Sequence, residues 1–233
     1  MSGLRVLSTL AVAGAMRGMV PRMKAAAGMP VVADFAPTQG LMPRIRGGEA
    51  ADLVILTAEG IAELAAERLV DPATAVDLVR SYIGVAVRAG APHPEIGTAA
   101  ALRRALLEAP CVAYSRSGAS GIAFAALIER LGIAEAVNAR AKVIAAGFTA
   151  ELAARGARRG VARGAAGERV AGRARNRTRR ATAGGSGDRG VFSAGIPRAS
   201  AQPEAAGRLI RLLASAEAAP VLEAAGLEPV AAG

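Results

Sequence analysis

The sequence predicts an α/β fold in which short, mainly parallel strands are covered by helices. Three observations point there. The first seventy or so residues alternate strand, helix, strand, helix, strand, helix, the order that builds a parallel sheet. The run "ADLVILT" (51–57) is apolar throughout and of strand length, as in strands buried on both faces of a parallel sheet. Hydrophobic residues make up 52% of the 233 residues, but aromatics only 3% and Trp none, so a sizeable core must be built from Ala, Val, Leu and Ile.

The elements follow in order. "LRVLST" (4–9) is a strand, and "VAGAMRGMVPRMKAAAG" (12–28) carries Val12, Met16, Met19, Val20 and Met23 at helical spacing and stops at Gly28. "PVVADFAP" is a second strand. "TQGLMPRIRGG" is a turn opening a short helix, and "ADLVILT" leads into "AEGIAELAAERLV", a helix with Ile61, Leu64, Ala65 and Leu69 on one side. Further on, "SYIGVAVRAG" and "CVAYS" are strands, separated by the helix "TAAALRRALLEA" with Thr98 as its cap. "SGASGIAFAALIERLGI" is a loop running into a helix, "NARAKVIAA" gives a short strand and "FTAELAA" a helix. After an arginine-rich stretch, "VFSAGI" is a strand. "QPEAAGRLIRLLAS" is a helix with Pro203 in its first turn, and "AEAAPVLEAAGLEPV" closes the chain as a helix and tail.

Composition excludes several classes of function. A single Cys, Cys111, excludes an internal disulfide and a cysteine metal cluster, and as the start of an apolar strand it is expected in the core. A single His, His93, sits in a proline-rich loop and leaves little room for zinc or imidazole catalysis. Ser115, Ser117 and Ser120 have no nearby His or acid pattern and no nucleophile-elbow motif, so no catalytic residues, metal or cofactor are expected. No run of eighteen apolar residues exists to span a membrane. The first sixteen residues have some features of a signal peptide, but Ser8 and Thr9 interrupt the apolar run and favour a strand.

Four strand-to-helix turns carry small hydroxyl or glycine residues: Ser8-Thr9, Thr38-Gln39-Gly40, "SRSGASG" (115–121) and Ala145-Ala146-Gly147. Ligands of open parallel sheets bind at the carboxyl ends of the strands. Helix N-termini there offer unpaired N–H groups and a positive dipole end, which suit a small oxyanion held by neutral donors. Taken singly, each turn is also an ordinary helix cap.

With "LRVLSTLAVAGAM", "FAPTQGLMPRIRGGEAADLVILT", "IGVAVRAGAP", "SGASGIAFAALIERLGI" and "VFSAGI" followed by "PEAAGRLIRLLAS", the chain resembles the bacterial extracellular solute-binding proteins of the molybdate-binding type. The resemblance covers about residues 3–155 and 191–229. It implies a two-lobed periplasmic-binding-protein type II fold, each lobe a mainly parallel sheet flanked by helices. Residues 1–81 and 197–233 would form the first lobe and 82–196 the second, with "SYIGVAV" and "VFSAGI" as the crossings. It implies a periplasmic protein that closes on molybdate, tungstate or sulfate and presents it to the membrane subunits of an ABC transporter. By position, Thr38 matches a family serine, while Ser120 and Ala146 match backbone donors. A family serine in the first loop falls at Ala11, so Ser8 or Thr9 would substitute.

Residues 155–190 stand apart. They hold eleven Arg against two acids, Glu168 and Asp188, and so carry nine of the ten net positive charges of the chain. Their Arg, Gly and Ala have G/C-rich codons, and reading suitable synonymous codons one base later permits an acidic segment with apolar strand patterns and a Pro-Gly turn. The expectation is a compensated pair of frameshifts near 156–158 and 190–192, leaving 157–190 irregular and the second lobe disrupted. The alternative is a nucleic-acid-binding insert acting through phosphate contacts, which lacks aromatics to stack on bases.

Overall fold

The computed structural model describes residues 3–87, 92, 94–115, 119–144, 161–165, 177–180 and 189–230. In chain order its elements are β1 (Leu4–Ser8), α1 (Ala13–Gly18), α2 (Val20–Ala27), β2 (Val31–Phe35), α3 (Thr38–Arg46), β3 (Leu53–Thr57), α4 (Ala58–Ala66), β4 (Val76–Val87), α5 (Ala99–Glu108), β5 (Val112–Ser115), α6 (Ala119–Arg130), α7 (Ala134–Asn138), β6 (Ala141–Ile144), β7 (Val161–Ala165), β8 (Arg177–Arg180), β9 (Arg189–Gly195), α8 (Pro203–Leu213), α9 (Ala219–Ala224) and β10 (Glu228–Pro229). The chain divides into two compact units, Met1–Ser81 with Gly190–Gly233, and Tyr82–Arg189.

In the first unit β1 lies between β2 and β3, parallel to both, and β9 pairs antiparallel with β3. The residues Leu7, Val54 and Leu56 of the central strands pack with Leu41, Met42 and Ile45 of α3 and Ile61 and Leu64 of α4. Helix α8 buries Ala205, Ala206, Leu209, Ile210 and Leu213, a stripe at helical spacing. Its Arg208 donates to the carbonyls of Ala26 and Ala27 at 3.0 and 2.9 Å, closing the end of α2 where Gly28 turns left-handed with φ 76°. Asp52 is buried before β3 and accepts from Arg5 N (2.9 Å), Ser200 Oγ (3.2 Å) and Ala201 N (3.2 Å), tying the approach to α8 to β1. On the surface, Arg44 pairs with Asp34 and Glu49, and Arg46 with Glu63 and Glu67. The hydrogen bond from Arg44 holds the Glu49 carboxyl below its ordinary value, and that from Arg46 does the same for Glu67.

In the second unit β5 lies between β6 and β7, parallel to both, and the later half of β4 pairs antiparallel with β7 and β8. The core gathers Val85, Val87, Ile96, Leu102, Leu106, Val112, Tyr114, Phe124, Leu127, Ile128 and Val137. Tyr114 meets Phe124 edge-on with centroids 4.9 Å apart, and its hydroxyl donates to Asn138 Oδ1 at 2.7 Å, so its polar end is satisfied. Thr98 caps α5 by accepting from Ala101 N at 3.1 Å.

Several expectations change. The single helix expected over 12–28 is two helices, because Pro21 in the first turn of α2 has no N–H to continue the ladder and Met19 leaves helical geometry. The segment 157–190, expected to be irregular, contributes β7 and β8. Strand addition uses backbone groups that every residue except proline carries, so an Arg- and Gly-rich composition does not forbid it. Among the described residues, the core of the second unit lies within Val85–Val137. Cys111 stands just ahead of β5 and is half-buried, not a core residue, because the strand begins at Val112. The second boundary falls at 189/190 and not at 196/197, since Phe192–Gly195 pair with β3 of the first unit. The helix expected over 148–154, and His93, lie outside the described residues.

Candidate functional site

The parallel pairing of the first unit decides which loops meet. Ser8 is the register partner of Phe35 on one side and of Ile55 on the other, so β1, β2 and β3 end together. Two hydrogen bonds just beyond them hold the loops: Thr9 N donates to Ile55 O at 2.8 Å, and Ala36 N to Ser8 O at 3.1 Å. Thr9, Thr38 and Thr57 therefore stand at one edge of the sheet, each next to the start of a helical turn.

Their hydroxyls are arranged differently. Ser8 is fully buried. Its Oγ donates to Thr9 O at 3.1 Å and faces Met16 Sδ at 3.7 Å, so its hydrogen is spent inside the fold. Thr9 precedes a short 3-10 turn (Leu10–Val12) containing Ala11, and its side chain makes no capping bond. Thr38 opens α3, and its Oγ1 accepts from Thr57 N at 3.3 Å. A hydroxyl whose oxygen is engaged in this way keeps its hydrogen for another acceptor. Thr57 Oγ1 accepts from Gly60 N at 3.2 Å and caps α4. A Cβ on Gly60 would meet Thr38 Cγ2 at 3.1 Å, so the two helix starts pack closely.

Helix α3 begins at Thr38 behind Pro37, which offers no side-chain cap. The N–H groups of Thr38 and of the exposed Gln39 thus have no acceptor within the helix. The loops 8–12, 36–40 and 57–58 contain no Lys, Arg, Asp, Glu or His. What they present is hydroxyl and N–H donors at the positive ends of two nine-residue helices, an environment that favours an anion. Among the described residues no group of three or more His, Cys, Asp or Glu is placed to hold a metal ion.

In the second unit, Ser120 lies half-buried in the first turn of α6, close to the end of β5. The adjacent Gly121 approaches β5 so nearly that a Cβ there would stand 1.5 Å from Ser115 O. Ala146 lies outside the described residues. Ser8, Thr9, Thr38 and Gln39 are thus gathered at one sheet edge of the first unit, and Ser120 holds the corresponding place in the second. Thr57 was missed by sequence reasoning, although a threonine between an apolar strand and an amphipathic helix is a recognisable N-cap signal.

A model of the family described as bacterial extracellular solute-binding protein matches residues 4–228. A protein named aconitate isomerase from a Pseudomonas species is 31% identical over 234 residues, covering 98% of this chain and 88% of its own length. Among solved structures, the periplasmic molybdate-binding protein of Azotobacter vinelandii matches with a TM-score of 0.78 at 14% identity, over 99% of this chain and 100% of that one. The sulfate-binding protein SubI of Mycobacterium tuberculosis H37Rv matches with 0.74 at 17% identity, over 99% and 88%. The tungstate-binding protein TupA of Desulfovibrio alaskensis matches with 0.69 at 15% identity, over 98% and 99%. These structural likenesses show the fold, that of the two-lobed periplasmic binding proteins. No helix among the described residues is long and apolar enough to cross a membrane.

Proposed function

The chain belongs to the bacterial extracellular solute-binding proteins, and from that premise we propose that it captures a small oxyanion of the molybdate, tungstate or sulfate type and delivers it to the membrane subunits of an ABC transporter. The observation that carries the reading is Thr38. Its oxygen is engaged by Thr57 N, its hydrogen is left to donate, and the unpaired N–H groups of α3 lie beside it. Thr9 and Gln39 complete the donors of the first unit, with Ser8 behind them. Ser120 and Ala146 are the donors assigned to the second. Charge-assisted hydrogen bonds from neutral groups stabilise a desolvated dianion and still permit its release.

The test is calorimetric titration of the purified protein with molybdate, tungstate and sulfate, with Thr38→Val as the variant. Binding by the parent that is unaffected by removal of the Thr38 hydroxyl would overturn the assignment of the site. Absence of binding by all three anions would overturn this choice of ligand.

The relative named aconitate isomerase favours a second reading, in which the anion is an organic acid. Binding without turnover remains the preferred form. Moving a double bond between carbons requires a group that takes and returns a proton, and loops 8–12, 36–40 and 57–58 carry no acid or imidazole. Proton NMR of cis- and trans-aconitate incubated with the protein separates the two, since interconversion would establish an enzyme.

For residues 157–190 we favour the compensated pair of frameshifts over a nucleic-acid-binding insert. The nucleotide sequence across 155–192 decides it: stop codons in the shifted frame, or no apolar strand pattern there, would sink the idea. Unchanged nucleic-acid affinity on deleting 157–190 would likewise exclude the insert.

A further inference from the structure

We propose that Arg17 is a specificity-determining residue that takes a second anionic group of the ligand, so that the protein selects a small acid with two or more carboxylates over a bare tetrahedral oxyanion. The proposal rests on the anion-binding site read above and favours the second of the two ligand classes given there, the organic acids, over the tetrahedral oxyanions.

Ser8 Oγ faces Met16 Sδ, so the side chain of Ser8 points towards α1. Phe35 is the register partner of Ser8, and in-register neighbours on adjacent strands project to the same face. Arg17 follows Met16 on α1 and lies over the Phe35 ring, with its guanidinium carbon 5.4 Å from the centroid. Asp34, one residue earlier, projects to the opposite face, where its carboxylate is held by Arg44 at 2.5 Å. The acid nearest in sequence to the ring is therefore committed elsewhere. Among the described residues no carboxylate pairs with Arg17, which is exposed.

Phe35 ends β2, three residues before Thr38, so the cation over its ring lies at the end of β2 from which the loop with the hydroxyl and N–H donors departs. A cation–π contact uses none of the guanidinium N–H donors, and a guanidinium edge matches a planar carboxylate bidentately. The ring also restricts the side chain before any ligand arrives. Neutral donors at the helix starts suffice for one compact anion. A ligand with a second carboxylate on a carbon frame has charge left over, and Arg17 is the cation placed beside the first anchor to receive it.

The experiment is calorimetric titration of the full chain and of Arg17→Gln, Arg17→Lys and Phe35→Leu with four probes: sulfate, molybdate, citrate and trans-aconitate. The expected result is that citrate and trans-aconitate lose about tenfold or more in affinity in Arg17→Gln, as for a charge-assisted hydrogen-bond pair. Any sulfate or molybdate affinity should be essentially unchanged. Phe35→Leu should weaken the carboxylates less, and Arg17→Lys should restore only part of the loss. Unfolding temperatures matching the parent establish that Arg17→Gln and Arg17→Lys are folded. Equal losses for all bound anions, or no loss for the carboxylates, would overturn the role of Arg17 while anion binding stands. Binding of sulfate or molybdate but neither carboxylate would overturn the ligand class alone. No binding of any probe by the parent chain would remove the anion-binding reading itself, and this inference with it.

Discussion

Gly121→Ala tests how tightly the second unit is assembled, because two physical arguments give opposite signs. On helix propensity alone, alanine inside α6 should stabilise by about 0.5–1 kcal/mol. The packing reverses this. A Cβ at 121 would lie 1.5 Å from Ser115 O, and to reach even 3.0 Å the helix must retreat by about 1.5 Å from the end of β5. Phe124, Leu127 and Ile128 of α6 are all nearly fully buried in the core of that unit. A gap of only ~0.5–1 Å already forfeits a quarter to a half of a dispersion contact. Overpacking of this kind costs ~1–3 kcal/mol, and partial loss of burial for three large side chains at ~1.5–3 kcal/mol each adds a similar amount. The net expectation is destabilisation by about 3 kcal/mol. At about 2–4 °C per kcal/mol for a chain of this size, Tm should fall by about 6–12 °C. Differential scanning calorimetry of Gly121→Ala beside Ser120→Ala measures it. The Ser120 variant should stay within about 2 °C of the parent. An unchanged or raised Tm for Gly121→Ala would refute the close approach of α6 to β5.

Three further outcomes follow from the first unit. Thr38→Val should weaken oxyanion affinity about 10- to 100-fold by calorimetry, the range for a lost hydrogen bond to a charged group. It should cost only about 1 kcal/mol of stability, because Thr57 N loses one acceptor; full affinity would exclude the Thr38 hydroxyl as a donor. Asp52→Ala removes the acceptor of two backbone N–H groups and one hydroxyl, and urea unfolding should show a loss of roughly 2–4 kcal/mol. A change below about 1 kcal/mol would mean that water replaces the carboxylate. Glu49 and Glu67 are held below the ordinary carboxylate value when folded, so their contribution is present above an unfolded pKa of about 4.3 and is lost as pH falls through the folded value. Unfolding curves taken from pH 6 downwards should therefore show a shallower acid decline in Arg44→Gln than in the parent; equal slopes would show that the Arg44–Glu49 pair contributes nothing.

Much of the fold was legible in the sequence because its strands and helices differ in period. The continuous apolar run of β3 and the helical spacing of α4 and α8 are such cases, and Thr98 was readable as a cap because its hydroxyl precedes the first turn of α5. What escaped was set by partners remote in the chain. β4 begins at Val76, earlier than its apolar half suggests, because its polar early half pairs with the distant tail at Glu228–Pro229. β10 is too short to have a period at all. The break at Met19 was hidden by apolar residues that continue across it, although Pro21 carried the signal. At the site, the loops were legible as small-residue turns after strands. The assignment of hydroxyl hydrogens was not: Ser8 and Thr38 look equivalent in sequence, yet one is spent on Thr9 O and the other is free to donate.

The first unit is discontinuous in the chain and the second is not, and this sets an order of completion during synthesis. Residues 82–189 leave the ribosome as one piece and contain the later part of β4 and the described elements α5 to β8 of their own unit. The first unit has its sheet centre early, but the partner of β3 arrives at 189–195, the donors that satisfy Asp52 at 200 and 201, and the two residues that pair with Val79 and Arg80 at 228 and 229. Its Asp52 side chain and the outer edge of β3 wait through more than half the length of the protein. A nascent chain with residues 1–189 clear of the ribosome would thus resist protease over 94–115 and 119–144 before it does over 3–81, the reverse of the usual N-to-C order of domain folding.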